Sequence, residues 1–514
     1  MGCLKKILFI LAFSLAYIEC RCEVLIGEIE IRRGEIFTDS TDIPVWVAHM
    51  LNKIHFLTSE DVVRRELLFK EGDIYEPELL CESERNLRNL DFFSKVGISA
   101  DKISDGRVDI VVNVEDRWTT FLGFTTEGGS GWYELGIMAG DYNLFGRGQW
   151  LEFSFVTEKE RNTGGITFEE PRLFGSRWAF KADYQNYSDG SETALKLEHP
   201  LYSLQTKWAY GGYIAKSKKI ERLYEEGEPS SEFNQNRKMG WMYLTRSFGE
   251  KIKTNLSLSY NFEEMNFTPT DSEPIPSDFK NSILNLSSGV STPNFIEETF
   301  LDSYGDVEDL DIGLAGIFSL GRGLKILGSD DERILFSVSI SEAFRFANWV
   351  YTKNRISISG YFLENTSRNI IGTDRFTLYI KLPRQTFASR LIITSGSRLD
   401  DYQQILLGSH NGLRGYPAYR FAGTRSLLFN LEDRIYLGTF FTIGLGIVPF
   451  FDSGSVWSNN ENFRVEDMHS SVGVGIRFGF GKVYKARIGR IDFVYPLDGG
   501  DFSISFGAGH HFNF

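Results

Sequence analysis

The chain has 514 residues, a net charge of −14, 50 glycines and 14% aromatic residues. That acidity excludes a non-specific nucleic-acid binder, which needs a basic surface. A slightly negative mean hydropathy beside so much glycine and aromatic residue excludes a helical membrane bundle and suits a sheet with one apolar and one polar face.

Residues 1–22 read as a secretory signal peptide. Lys5 and Lys6 supply the charged start, and Ile7 to Ile18 give a 12-residue apolar core, too short to span a bilayer. Cleavage after Cys22 leaves Cys20 and Cys22 at the recognition positions. A lipoprotein anchor on either cysteine is the rival, but Glu19 and Arg21 are poor neighbours for it. Of four cysteines, only Cys81 lies beyond this segment. A lone cysteine makes neither a disulfide within the chain nor a metal cluster, and its ordinary role is a small buried hydrophobe.

Residues 23–116 mix helix and strand. Ile26 to Ile31 alternates as a strand. Thr58, with Asp61 three residues on, offers an N-cap to a helix over 62–68. Pro77 opens a second helix with Leu79, Leu80, Leu87 and Leu90 on one stripe. Strands follow at Phe93–Ala100 and Arg107–Val114. The expected order is β-α-α-β-β, enough for one small core.

From 117 to 514 the helical pattern disappears. Leu256, Leu258, Tyr260 and Phe262 share one face, as do Phe376, Leu378, Ile380 and Leu382, each opposite polar neighbours. The last stretch, Phe502 to Phe514, alternates in the same way. Period-two alternation in such segments is the mark of a membrane β-barrel, which must close because lipid cannot satisfy a free sheet edge. Trp118, Trp132, Trp150, Trp178 and Trp208 fit an interfacial girdle. Connections at Asp141–Gly148 and Pro383–Thr386 are short, and those at Ser217–Gly240, Glu263–Asn281 and Ser397–Gly423 are long and polar. Phe295 to Leu310 breaks that rule, being long where a short turn is due.

One loop contains Gly412-Leu413-Arg414-Gly415-Tyr416. An arginine at membrane depth requires a lumen and a partner, and Asp452, in Phe450-Phe-Asp-Ser-Gly454, is the candidate. Other chemistry is weaker. There is no Gly-x-Ser-x-Gly elbow. The glycines of Gly473-Val-Gly475 and Gly479-Phe-Gly481 lie in alternating strands and open no helix. His510 and His511 fall on opposite faces of the last strand, as interfacial polar residues. Asp302, Asp306, Glu308, Asp309 and Asp311 lack a calcium-loop register and read as a solvated acidic turn. Lys218 to Glu228 reads as an exposed loop. No metal, cofactor or catalytic residue is expected.

The run from Leu67 to Ile98 resembles a polypeptide-transport-associated (POTRA) domain. The whole mature chain resembles the BamA-like (bacterial surface antigen) superfamily of outer-membrane proteins. Asp141-Tyr-Asn-Leu-Phe-Gly-Arg-Gly148 and Glu170-Pro-Arg-Leu-Phe-Gly175 resemble the first two periplasmic turns of these barrels. Gly412–Tyr416 resembles the tip of the loop that enters the lumen, and Phe450–Gly454 the strand facing it. The terminal Phe512 and Phe514 resemble the barrel's C-terminal signal. The resemblance implies a mainly β fold, one POTRA-like α/β domain before a transmembrane antiparallel barrel, with roughly sixteen strands by family and about twenty by counting segments.

It also implies that Arg414 meets Asp452 and Glu432, forking across carboxylates as a guanidinium can. The implied function is outer-membrane protein assembly or polypeptide translocation in a Gram-negative-type bacterium. Its partners would be outer-membrane lipid, an unfolded or extended polypeptide and other assembly factors, without nucleic acid. A passive pore and a surface-exposed adhesion barrel are the alternatives.

Overall fold

The computed structural model describes residues 24–37, 43–104, 106–129, 132–270, 275–483 and 488–514; the expected signal peptide, residues 1–22, lies outside them. The N-terminal unit runs β1 (Leu25–Gly34), α1 (Val45–Ile54), α2 (Glu60–Glu66), α3 (Pro77–Arg88), β2 (Phe93–Ser104) and β3 (Arg107–Asp116). Its sheet has the order β1-β3-β2, with β1 parallel and β2 antiparallel to β3. The central strand alternates, and Val108, Ile110, Val112 and Val114 are buried with Val62 and Val63 of α2 and Leu80 and Leu87 of α3.

Three local expectations change. Helix α1 was not anticipated, so the order is β-α-α-α-β-β. Ser59, not Thr58, precedes α2; the Thr58 hydroxyl instead donates to Asp116 at 2.9 Å. Cys81 is exposed, because the buried face of α3 is Leu80, Glu82, Ser83 and Leu87.

Among the described residues, twenty antiparallel strands follow and close into a barrel, the first (β4, Thr120–Gly129) lying beside the last (Ser503–Ala508). The segment count therefore holds, and the family's usual sixteen does not. Along Thr366–Leu382, Thr377 and Tyr379 are buried inside while Phe376 and Leu382 face out. Leu256 and Leu258 face out as well, giving the apolar exterior that a bilayer requires. No helix among the described residues is long and apolar enough to cross a membrane.

The polar stretch at 217–240 is largely strand, not loop, and within 263–281 strand covers 263–269 and 279–281. Strands Trp208–Glu225 and Glu228–Phe248 turn only at Glu226 and Gly227, and Lys253–Pro269 extends beside them. Paired backbone continues past the lipid into water, where neither face need be apolar. The Lys218–Glu228 stretch is thus mostly ladder. Trp208 is on the exterior, but Trp150 packs with Phe121 and Tyr142 against the N-terminal core.

Two segments leave the wall and enter the lumen. Residues 398–424, between strands Gln385–Ser397 and Arg425–Phe440, carry a short ribbon, Ile405–Leu407 with Phe421–Gly423. At the opposite end, Phe295–Glu298 pairs with Glu308–Asp311 as a hairpin, which accounts for the connection that looked too long. The final strand ends at Ala508, not at Phe514. Gly509 takes a φ of 80°, and residues 510–514 fold inward rather than along the lipid.

The N-terminal unit sits on the first two barrel turns. Asn143 donates to the Thr58 hydroxyl at 2.7 Å, and a Cβ on Gly146 would lie 2.4 Å from the Leu57 carbonyl. Glu66, buried on α2, pairs with Arg172 and Arg177 of the second turn. Both turn motifs read from the sequence are therefore docking points.

Candidate functional site in the barrel lumen

Arg414 is 2% exposed at the tip of the far loop, although the loop itself is polar. Its Nε and Nη2 fork onto Asp452 at 2.6 and 2.9 Å. Its Nη1 donates to Glu432 at 3.0 Å and to Asp492 at 3.2 Å. The guanidinium lies 3.5 Å from the centre of the Phe450 ring, which adds a cation–π contact in a desolvated place. Glu432, Asp452 and Asp492 are fully buried, so each carboxylate depends on arginine and hydrogen bonds for its charge.

Local structure explains why the loop can deliver this side chain. Gly412 and Gly415 have φ of 107° and 90°, conformations that favour glycine. A Cβ on Gly412 would also meet Leu428 and Arg390 at 2.8 and 2.9 Å. Leu413 is buried with Leu407, Tyr416 and Leu428. The Tyr416 hydroxyl is 2.5 Å from Asp498 and 2.9 Å from the Ser470 carbonyl. Gly454 leaves room for the ribbon, since a Cβ there would approach Leu407 to 2.7 Å.

The structure thus gathers Gly412, Leu413, Arg414, Gly415, Tyr416, Glu432, Asp452 and Gly454 into one site. It also adds residues that sequence reasoning missed. Asn430 donates to Asp452 at 2.7 Å and to the Gly412 carbonyl at 2.8 Å. Arg477 donates to Asp492 at 2.5 Å and lies 3.6 Å from Glu432. Arg434 donates to Glu432 at 3.0 Å. An available signal was the alternation of Arg490 and Asp492 in a strand otherwise rich in apolar residues.

Phe512 and Phe514 do not lie on the lipid face. Phe512 is 4% exposed, with the guanidinium groups of Arg390 and Arg434 at 4.8 and 5.1 Å from its ring. Phe514 packs on Tyr351 and Tyr379. The two histidines also turn inward. His510 is buried, and His511 Nε2 is 3.1 Å from the Gly412 carbonyl.

The acidic turn is paired rather than solvated. Asp302 accepts from Arg434, Tyr379 and the Phe514 backbone. Asp306 pairs with Arg117, and Asp309 with Arg88. Glu308 accepts from the backbone N–H groups of Leu301, Asp302 and Ser303. Burial, with Asp302 nearby, pushes Glu308 up to about 7. No group of metal-binding side chains is found among the described residues. Two of the glycines at 473–481 serve packing: Gly473 lies under Phe450, and Gly479 under Tyr304.

Residues 55–117 match the family model described as POTRA, surface antigen variable number repeat. The chain is 26% identical over 276 residues to the outer membrane protein assembly factor BamA of Neorickettsia risticii, a match covering 53% of this chain and 32% of that protein. It is 22% identical over 487 residues to BamA of Nitratidesulfovibrio vulgaris, covering 89% of this chain and 49% of that one. The chain thus spans about a third to a half of the length of these relatives. Among solved structures, BamA from Haemophilus ducreyi lacking POTRA domains 1–3 aligns with a TM-score of 0.38 at 14% identity, covering 94% of this chain and 84% of that one.

Proposed function

From the chain's place in the BamA-like family of outer-membrane proteins, with an N-terminal periplasmic POTRA domain, we propose that it assembles or translocates polypeptides at the outer membrane. On this reading residues 23–116 are the periplasmic domain and 117–514 the barrel. The outer strand β2 takes up an extended chain by strand addition, and the barrel passes it into or across the membrane. Other assembly factors would meet the chain through the same domain. The reading involves no covalent step and no catalytic residue.

The observation that carries the proposal is the Arg414 cluster. A loop drawn into the lumen and fixed by a buried arginine on three carboxylates obstructs the path through the barrel, as a gate that must hold shut and then yield would. Gly412 to Tyr416, Glu432, Asp452 and Gly454 are the latch on this reading, with Asn430, Asp492 and Arg477 added.

The test is photo-crosslinking in cells, with a crosslinking side chain replacing Lys95 or Ser99, both exposed on β2. Adducts with polypeptides bound for the outer membrane or the exterior support the proposal. Absence of polypeptide adducts at both positions rejects it.

A further inference from the structure

The hairpin 295–311 lies in a connection of the barrel where a short turn would serve. It contacts both the N-terminal domain and the lumen wall. Toward the POTRA domain it is acidic. Arg88 of α3 forks onto Asp309 at 2.8 and 2.7 Å and reaches Glu297 at 2.7 Å. Arg117, after β3, pairs with Asp306 at 2.8 Å, and the Arg85 guanidinium lies 3.8 Å from the Phe295 ring centre.

Toward the lumen the hairpin grips the wall. Glu298 accepts from Tyr351 at 2.5 Å and from Lys381 at 2.6 Å. Tyr304 fills a slot whose floor is glycine: a Cβ on Gly446 would stand 2.0 Å from its hydroxyl. Leu301 is buried with Tyr351, Tyr379 and Phe512.

Arg434 joins these pieces. It donates to the Leu301 carbonyl at 3.0 Å, to Asp302 at 2.9 Å and to the Phe512 carbonyl at 2.5 Å. Asp302 in turn accepts the Phe514 N–H at 2.8 Å. Hairpin and C-terminal tail are thus held by one arginine and one aspartate. The same Arg434 shares Glu432 with Arg414, which connects the periplasmic end to the far loop.

We propose that the hairpin is a clasp worked by the POTRA domain: docked, the domain holds the hairpin in the lumen, and the hairpin holds the last six residues inside. Displacing the domain frees the hairpin and then the tail, and so the end of the barrel's closing strand. The hairpin's own contacts with the domain are mainly ionic, and polar interfaces between units of one chain open more readily than apolar ones, such as the packing of Tyr142 and Trp150 at the first barrel turn. Arg434 is a positioning residue in this device. The clasp is a property of the fold and stands or falls independently of whether the chain handles polypeptide.

The test uses the full chain in lipid nanodiscs, with hydrogen exchange read on 295–311 and on 509–514. Arg88→Glu with Arg117→Glu breaks only the domain side, and neither residue touches the tail. The clasp predicts faster exchange in both segments, with the tail gaining roughly tenfold or more, equivalent to about 1.4 kcal/mol. Adding Asp306→Arg and Asp309→Arg should restore protection in both. A loosened hairpin with an unchanged tail overturns the proposal, and so does no change in either. If the reversal blocks barrel formation, Arg88→Gln with Arg117→Gln is read in the same way. The clasp can fail while crosslinks to β2 persist, which separates it from the function proposed above.

Discussion

Substituting Arg414 by alanine should open the lumen loop while leaving the barrel standing. Removing one member of a buried ion pair costs about 3–5 kcal/mol, chiefly because its partner stays buried and charged. Here the loss is uneven. Glu432 keeps Arg434 and Arg477, and Asp492 keeps Arg477. Asp452 keeps the Asn430 amide but loses the fork on both oxygens. The penalty therefore falls on Asp452 and the closed loop, not on the strand ladder.

Packing of Leu413 against Leu407 and Leu428 is common to both proteins and cancels from the difference. A cost of about 3–5 kcal/mol therefore predicts exchange at residues 408–417 rising by roughly a hundredfold to a few thousandfold, at about 1.4 kcal/mol per decade. Arg414→Lys should fall between, because one ammonium cannot fork across two oxygens. The assay is hydrogen exchange in nanodiscs, with heat-dependent gel migration reporting the intact barrel. Unchanged protection in Arg414→Ala, or loss of the whole barrel, would refute the reasoning.

Gly446→Val should drive Tyr304 from its slot at a cost of about 1–3 kcal/mol of overpacking; adding Tyr304→Ala should recover thermal stability, and a simple sum of the two losses would count against the slot. Glu308 offers a pH dependence. Its pKa of about 7 lies above the ordinary 4.5, so the native hairpin binds more protons across that window and loses stability as pH rises through it. Exchange of 295–311, corrected for intrinsic rate, should be slower at pH 5 than at pH 8, and Glu308→Gln should flatten the difference. Cys81 should react with maleimide in the folded protein without denaturant; labelling that requires unfolding would contradict its exposed place on α3.

Much of this architecture was legible in alternation and turn residues, because a barrel strand must show lipid one face and the lumen the other. The Arg414–Asp452 pair was legible for a related reason, since a buried guanidinium needs a carboxylate. Asp492 was legible only as an inward-facing charge alternating with Arg490, since choosing it as the third partner requires the register of strands far apart in sequence. Alternation also misled at Phe512, because a phenylalanine facing lipid and one stacked against arginines leave the same pattern. Helix α1 was missed although Trp46, Met50 and Ile54 recur every fourth residue, a helical spacing present in the sequence; in the structure that stripe is exposed. The long polar segments near 217–240 hid strands, since a paired ribbon in water carries no apolar face to recognise.

Transport of polypeptide through a latched barrel is tested most directly by comparing three strains. Outer-membrane proteome and secretome are measured in cells with the chain, without it, and with Arg414→Ala. The account predicts selective loss of one protein or a small set in both altered strains. An unchanged profile in cells lacking the chain would contradict it.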